Sequence, residues 1–372
     1  MWKWEWICWF VNLVSPNPAE RIRRYRRLIE RLSREADLDG GWWRVFRDYP
    51  KQAASSTTVL SPGASDQNAD ESIAVVVQGP VVQRDELTIQ TLQMYRQTMP
   101  HSRLILSTWN DISPQLRAQI ESLGVTVVTS EKPPHPGPHN LNLQIVSTRR
   151  GLQEAHRMGC RYAMKTRADT RIHLAEADQF CRDLLNQFPV NAASGQQKRL
   201  MVLDFATRLY VPCHPADLLM FGTTDDLLTY WSPELCGPEM TFRVCDKFDE
   251  MLQQATPEIV LCRSYLQRTG AKPIDDLPAW WEMLADRFIV IDRDMIDLFW
   301  PKYNYNVDQR LSMVWDNGNM ALCHFAQWMQ LYARRVEPSV TLDQLRQQRV
   351  HDALGEGSCG ASTAARDEAA AA

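Results

Sequence analysis

Lys165, Arg167 and Asp169 alternate along one side of a short apolar segment, so two cations and a carboxylate emerge together where that segment ends. Such a set suits a diphosphate, gripped by the cations directly or through a divalent metal ion held by Asp169. A salt-bridged loop would use the same residue types. Gln78-Gly79-Pro80 closes another apolar run: glycine lets a backbone approach a ligand closely and proline fixes the turn after it, although an ordinary strand-to-helix turn asks for the same residues. Asn110 and Asp111 can hydrogen-bond a base or ribose, or simply build the turn before Ser113-Pro114. Asn142 and Gln144 open a helix whose N-terminus favours an anion.

Carboxylates able to take up a proton stand in the second half of the chain at Asp217, Asp225, Asp226 and Glu258. Asp225-Asp226 also reads as a helix start, and Glu258 after Pro257 as a first-turn partner of the helix dipole. His324, in Cys-His-Phe, and His135 and His139, in a Pro-rich loop, are the imidazoles with metal-ligating chemistry. A lone histidine among apolar neighbours is more often a satisfied core residue than a ligand.

The elements that must position these groups follow from hydrophobic periodicity. Residues 73–77 (IAVVV) form a buried strand; residues 86–99 form a helix stopped by Pro100; residues 103–107 form a second strand. Ser113-Pro114 supplies an N-cap and a proline at the first helical position, and that helix ends at Gly124. A third strand over 125–129 leads through the loop EKPPHPGPHN into a helix over 141–158, closed by Gly159, and a fourth strand spans 161–166. Strand alternating with helix at this spacing predicts an α/β protein with a mostly parallel sheet covered on both faces. Ligands bind such sheets at the carboxyl ends of the strands, which is where the polar residues of this half gather.

The chain has 372 residues and a formal charge of −4, from 41 basic and 45 acidic side chains. That balance argues against a nucleic-acid binder. Its nine cysteines stand apart with no C-x-x-C pair, which excludes a zinc knuckle and fits a reducing, cytoplasmic setting. No apolar run is long enough to span a bilayer, and no signal peptide is visible. Residues 1–50 place Trp2, Trp4, Trp6, Trp9 and Phe10 ahead of an Arg-rich helical pattern. Two readings stay open: residues 1–35 attach peripherally to an anionic membrane surface on its inner face, or they form a solvated helix docked on the main domain. Residues 51–71 read as a linker and 351–372 as a low-complexity disordered tail. The expected division is therefore an N-terminal segment (1–50), the linker, a domain over 72–350 with halves at 72–170 and 171–350, and the tail.

VVVQGP, LILSTWN, NLNLQIVSTRRGL, YAMKTRAD, DLLMFG and PEIVLCRSYL occur here in the order of the WavE lipopolysaccharide synthesis family, which the chain resembles over about 73–266. The resemblance implies a GT-A-like nucleotide-binding sandwich, with helical N- and C-terminal extensions, acting as a glycosyltransferase. Its partners would be a nucleotide-sugar donor and a lipid-linked or oligosaccharide acceptor, on the route to lipopolysaccharide or another surface polysaccharide. By this likeness Gln78, Gly79, Pro80, Ser107, Thr108, Trp109, Asn142, Gln144, Ser147, Lys165 and Arg167 are donor-binding, Asp169 is the metal position, and Asp217 and Glu258 match the family pattern; with Asp226, from the turn after DLLMFG, they are the catalytic candidates. The resemblance implies a divalent cation, Mn2+ or Mg2+, which typical GT-A enzymes hold on an Asp-x-Asp; this chain departs from that pattern, because Arg167-Ala168-Asp169 puts a cation at the first acidic position. Two other classes remain: a nucleotidyltransferase, which expects a Gly-rich basic loop where Gln78-Gly79-Pro80-Val81-Val82 stands, and a non-catalytic sugar-nucleotide-binding module.

Overall fold

The computed structural model describes residues 72–83, 86–191, 194–240, 256–274, 276–300 and 321–333. The predicted N-terminal segment, linker and tail lie outside them. Strand β1 (Ile73–Gln78) is buried along its whole length, and β2 (Arg103–Trp109) is buried after its first residue. Continuous Val/Ile/Leu runs of this kind mark strands covered on both faces. Between them runs α1 (Leu87–Thr98), and α2 (Pro114–Ser122) leads on to β3 (Thr126–Ser130). The capping expected at α2 is present: the Ser113 side chain accepts from Leu116 N–H, with proline at the helix start. Helix α3 (Leu141–Arg157) precedes β4 (Tyr162–Arg167), and Gly159, in the short turn between them, has φ +73°.

The second half supplies β5 (Arg171–Ile172), α4 (Ala177–Gln187), β6 (Leu200–Leu203), β7 (Met220–Thr223) and α5 (Thr224–Tyr230). It continues with α6 (Pro257–Arg268), α7 (Leu277–Arg287), β8 (Phe288–Ile291), β9 (Leu298–Phe299) and α8 (Phe325–Tyr332). Seven strands make one sheet in the order β3-β2-β1-β4-β7-β6-β8, while β5 and β9 pair separately. The expected α/β class with a mostly parallel central sheet is thus what the chain forms. Strand β7 is the exception, antiparallel to both β4 and β6.

This order has a consequence for the site. The chain builds outward from β1 to β3, then returns to place β4 on the other side of β1. The crevice between β1 and β4 is the topological switch point, where open α/β sheets bind ligands. Register puts Gln78 between Ser107 on one side and Arg167 on the other, so three of the expected residues share one row across three strands.

Helix α3 lies directly on this row. A Cβ at Gly151 would sit 2.4 Å from Val76 Cγ1 and 3.0 Å from Ser107 Cβ, so only glycine allows the helix so close. Gly151→Val should therefore lower the unfolding free energy by about 1–3 kcal/mol through overpacking, read from the urea midpoint at unchanged slope. A midpoint equal to wild type would show that the helix can move away at no cost.

Candidate functional site

Polar groups collect on the carboxyl rim of the sheet, and hydrogen bonding decides what each can do. At the switch point Gly79 N–H donates to Ser107 O at 3.0 Å and Ala168 N–H to Gln78 O at 2.9 Å, which extends the ladder past the strand ends. Gly79 has φ +113°, a conformation that needs glycine, and Pro80 is exposed beside it. Beneath this surface Ser107 Oγ donates to Ser147 O at 2.6 Å, and Ser147 Oγ lies 2.8 Å from Gln78 Oε1. Ser107, Ser147, Thr108 and Trp109 are buried, so they shape the floor of the crevice. Asn142 clamps two segments: its Nδ2 donates to His135 O and Cys236 O, and its Oδ1 accepts from Cys236 N–H. Gln144 carries a buried Oε1 without a hydrogen-bond partner. Asp111 sits outside the crevice and pairs with Lys132 on the surface at 2.5 Å.

The trio at the end of β4 divides. Asp169 takes Arg167 in a two-pronged pair, Nε to Oδ1 and Nη2 to Oδ2, each at 2.8 Å. Trp300 Nε1–H adds a third bond to Oδ2 at 3.1 Å, and its ring lies 5.3 Å from the Arg167 guanidinium. Burial favours the neutral carboxyl, but Arg167 and the Trp300 indole outweigh it and hold Asp169 below the usual carboxylate range. A divalent ion on this carboxylate would have to displace the guanidinium or sit against its charge. The residues at Asp169 therefore do not fit the metal expected there.

Lys165 goes inward, where the alternation had suggested it would face a diphosphate. Its ammonium is fully buried, donates to Asp217 O, and stands 4.3 Å from the centre of the Trp231 ring. Burial pulls its pKa down to about 8, with Arg167 adding to the fall and Asp217, Asp169 and Glu258 opposing it. Lys165 thus underlies the rim and bears on its carboxylates from below.

The three carboxylates read as catalytic candidates separate by strand direction. Because β7 runs antiparallel to β4, with Lys165 opposite Met220 and Tyr162 opposite Thr223, Asp217 precedes β7 at the carboxyl rim and Asp226 follows it at the other end. Asp226 lies about 20 Å along the strand direction from Asp169, at ~3.3 Å per residue. It accepts Gln197 N–H, Lys198 N–H and Thr223 O–H, and its own N–H donates to Thr223 Oγ1, so Thr223 caps the helix and Asp226, in its first turn, anchors residues 197 and 198. Asp217 and Glu258 do come together. Thr256 caps α6, Pro257 begins it, and Glu258 in its first turn lies with Oε2 3.7 Å from His214 Nε2. His214 Nδ1 is 2.8 Å from Ala206 O, so the N–H on that nitrogen donates to the carbonyl and Nε2 is left to face the carboxyl. Burial pushes Glu258 up, His214 pulls it down and Asp217 pushes it up again, leaving it above the ordinary range.

Sequence reasoning did not single out His214, Trp231 or Trp300. His-Pro-Ala-Asp, with His214 three residues before Asp217, was the available signal. Nothing local marks the two tryptophans, which reach the site from distant segments.

A family model described as WavE lipopolysaccharide synthesis matches residues 73–351, and the chain belongs to that family. No curated protein matches it in sequence. Among solved structures, 4-diphosphocytidyl-2C-methyl-D-erythritol synthase from Anaerococcus prevotii is similar at 10% identity and a TM-score of 0.29, covering 54% of this chain and 100% of that one. A mannose-1-phosphate geranyltransferase from Thermus thermophilus is similar at 12% identity and a TM-score of 0.27, covering 59% and 73%. At such scores neither likeness informs the reaction. Among the described residues no helix is long and apolar enough to cross a membrane.

The Arg167–Asp169 pair makes a pH prediction. Asp169 titrates lower folded than unfolded, so its contribution is complete above about pH 4 and fades as pH falls through the folded value. Asp169→Asn should lower Tm near neutrality, with the gap to wild type closing in acid. A gap that stays constant down to pH 2 would contradict the ion pair.

Proposed function

We propose that this chain is a glycosyltransferase that moves a sugar from a nucleotide-sugar donor to a lipopolysaccharide or other surface-polysaccharide acceptor. Residues 72–170 hold the donor and 171–350 the acceptor. What supports this most is one juxtaposition: β4 ends in Arg167 at the switch point, and Lys165, two residues earlier, donates to Asp217 O on the segment whose His214 faces Glu258.

The chemistry follows from these positions. The nucleotide lies in the β1/β4 crevice, where Gly79 leaves open space. Arg167 meets the diphosphate as it departs, and Asp169 with Trp300 fixes the plane of the guanidinium, which makes them positioning residues. The anomeric carbon then passes through an oxocarbenium-like state. Glu258 takes the proton of the attacking acceptor hydroxyl, and His214 and Asp217 set its affinity for that proton. No step runs through a metal at Asp169. Attachment of residues 1–35 to an anionic membrane surface would bring the enzyme to a lipid-linked acceptor.

Incubation with a panel of nucleotide sugars and a lipopolysaccharide acceptor should release nucleoside diphosphate. Release of pyrophosphate from CTP or UTP with a sugar phosphate would mean nucleotidyl transfer, and donor binding without turnover would mean a binding module. Glu258→Gln should reduce kcat by about a hundred- to ten-thousand-fold with donor affinity retained. The wild-type rate should fall in acid as Glu258 protonates, at a pH above the ordinary carboxyl range. Wild-type turnover in the Gln variant would remove Glu258 from the mechanism. Asp169→Ala should abolish transfer while the fold survives. Deleting residues 1–35 should weaken co-sedimentation with anionic liposomes, and unchanged sedimentation would exclude the membrane role.

A further inference from the structure

Strands β6 and β8 are parallel neighbours, so their carboxyl ends deliver Asp204 and Asp292 side by side onto the same rim. A third group comes from far along the chain. Leu209 N–H donates to Ala321 O, Arg208 bridges Leu322, and Cys323 N–H donates to Thr207 O, which stitches residues 321–323 to the loop after β6. His324 follows as the residue that opens α8, with Nδ1 3.2 Å from Asp204 Oδ2 and 3.4 Å from Asp292 Oδ1. One ligand atom from each of the three residues lies within 4.8 Å of the others.

Both carboxylates are aimed from behind by backbone amides. Arg293 N–H donates to Asp204 Oδ1 at 2.8 Å, and Phe325 N–H to Asp292 Oδ1 at 2.9 Å. Outer bonds of this kind orient ligating carboxylates in metal sites. The Asp204 side chain is 3% exposed, His324 30% and Asp292 36%, so the site has a closed back and an open mouth. A protonated His324 joining two carboxylates is the plain alternative. A single Nδ1–H, however, can align with only one of two oxygens at nearly equal distance. Arg293 Nε, 4.0 Å from Asp204 Oδ2, offsets only part of the charge.

We propose that Asp204, Asp292 and His324 bind a divalent transition-metal ion, Mn2+ or Zn2+, through two carboxylate oxygens and one imidazole nitrogen, with the remaining positions open to water. A mixed oxygen and nitrogen set favours these ions over Ca2+ and Mg2+, which prefer oxygen throughout. The site lies two to three strands from Asp169, about 10–15 Å across the sheet at the usual strand spacing. Phe205 and Trp300, edge to face at 5.4 Å, stand between the two positions. The site holds whether or not the chain transfers a sugar.

The test uses the full chain, stripped with chelator and titrated with Mn2+ or Zn2+ by calorimetry. Wild type should bind one ion saturably and gain Tm. His324→Ala should weaken binding at least about tenfold, as losing a ligand costs no less than losing an outer-shell partner; Asp169→Asn should bind as wild type does. Because His324→Ala also removes a residue that opens a helix, electron-nuclear resonance on Mn2+-loaded wild type gives a second reading: nitrogen coupling from imidazole is expected. No saturable binding, an all-oxygen spectrum, full affinity in His324→Ala, or loss of binding in Asp169→Asn would each overturn the proposal.

Discussion

A sheet buried on both faces can accept polar side chains only at its edges and strand ends, and that constraint organises this molecule. From Ile73 to Val77 each residue of β1 is apolar and buried, and its first polar group, Gln78, appears at the carboxyl end. The same holds for Ser107 to Trp109 on β2 and for Lys165 to Arg167 on β4. Strand order then brings the ends of β1 and β4 together, and the single antiparallel strand carries Asp217 to the same rim while sending Asp226 to the opposite one.

Within the rim, desolvation makes pairing obligatory, and the pairs set what chemistry is available. Arg167 and Asp169 satisfy each other beneath Trp300, which converts an expected metal ligand into a brace for a cation. Lys165 has no exposed route and is held by a backbone carbonyl and the Trp231 ring, so its charge acts on Asp217 and Glu258 through the interior. Glu258 is raised by the same burial, against the pull of His214. The loop from Asp204 to Asp217 contributes to both parts of the rim, with Ala206 and Cys213 in left-handed conformations at its bends. Non-glycine residues stay there only where surrounding contacts hold them.

The first four strands and three helices were legible in the sequence to within a residue or two, because periodicity and capping are local signals: Ser113-Pro114 does start its helix, and Gly159 does follow one. Gln78, Gly79, Arg167 and Asp169 were also legible, since strand ends are visible as the points where apolar runs stop. The partners of those residues were not. Trp300 meets Asp169 across 131 positions of chain, and His214 meets Glu258 across 44 (258 − 214), with β7 and α5 between them.

By itself, then, the sequence determined the α/β class, the strand ends at which polar groups gather and the family, because each is carried by short motifs and local periodicity. Tertiary structure alone decided that Lys165 turns inward, that Trp300 closes over the Arg167–Asp169 pair, that Asp226 anchors Gln197 and Lys198, and that Asp204, Asp292 and His324 converge. The reason is physical: a side chain's charge state and its partners depend on what is packed within a few ångströms of it, and here those neighbours come from segments tens to more than a hundred residues away.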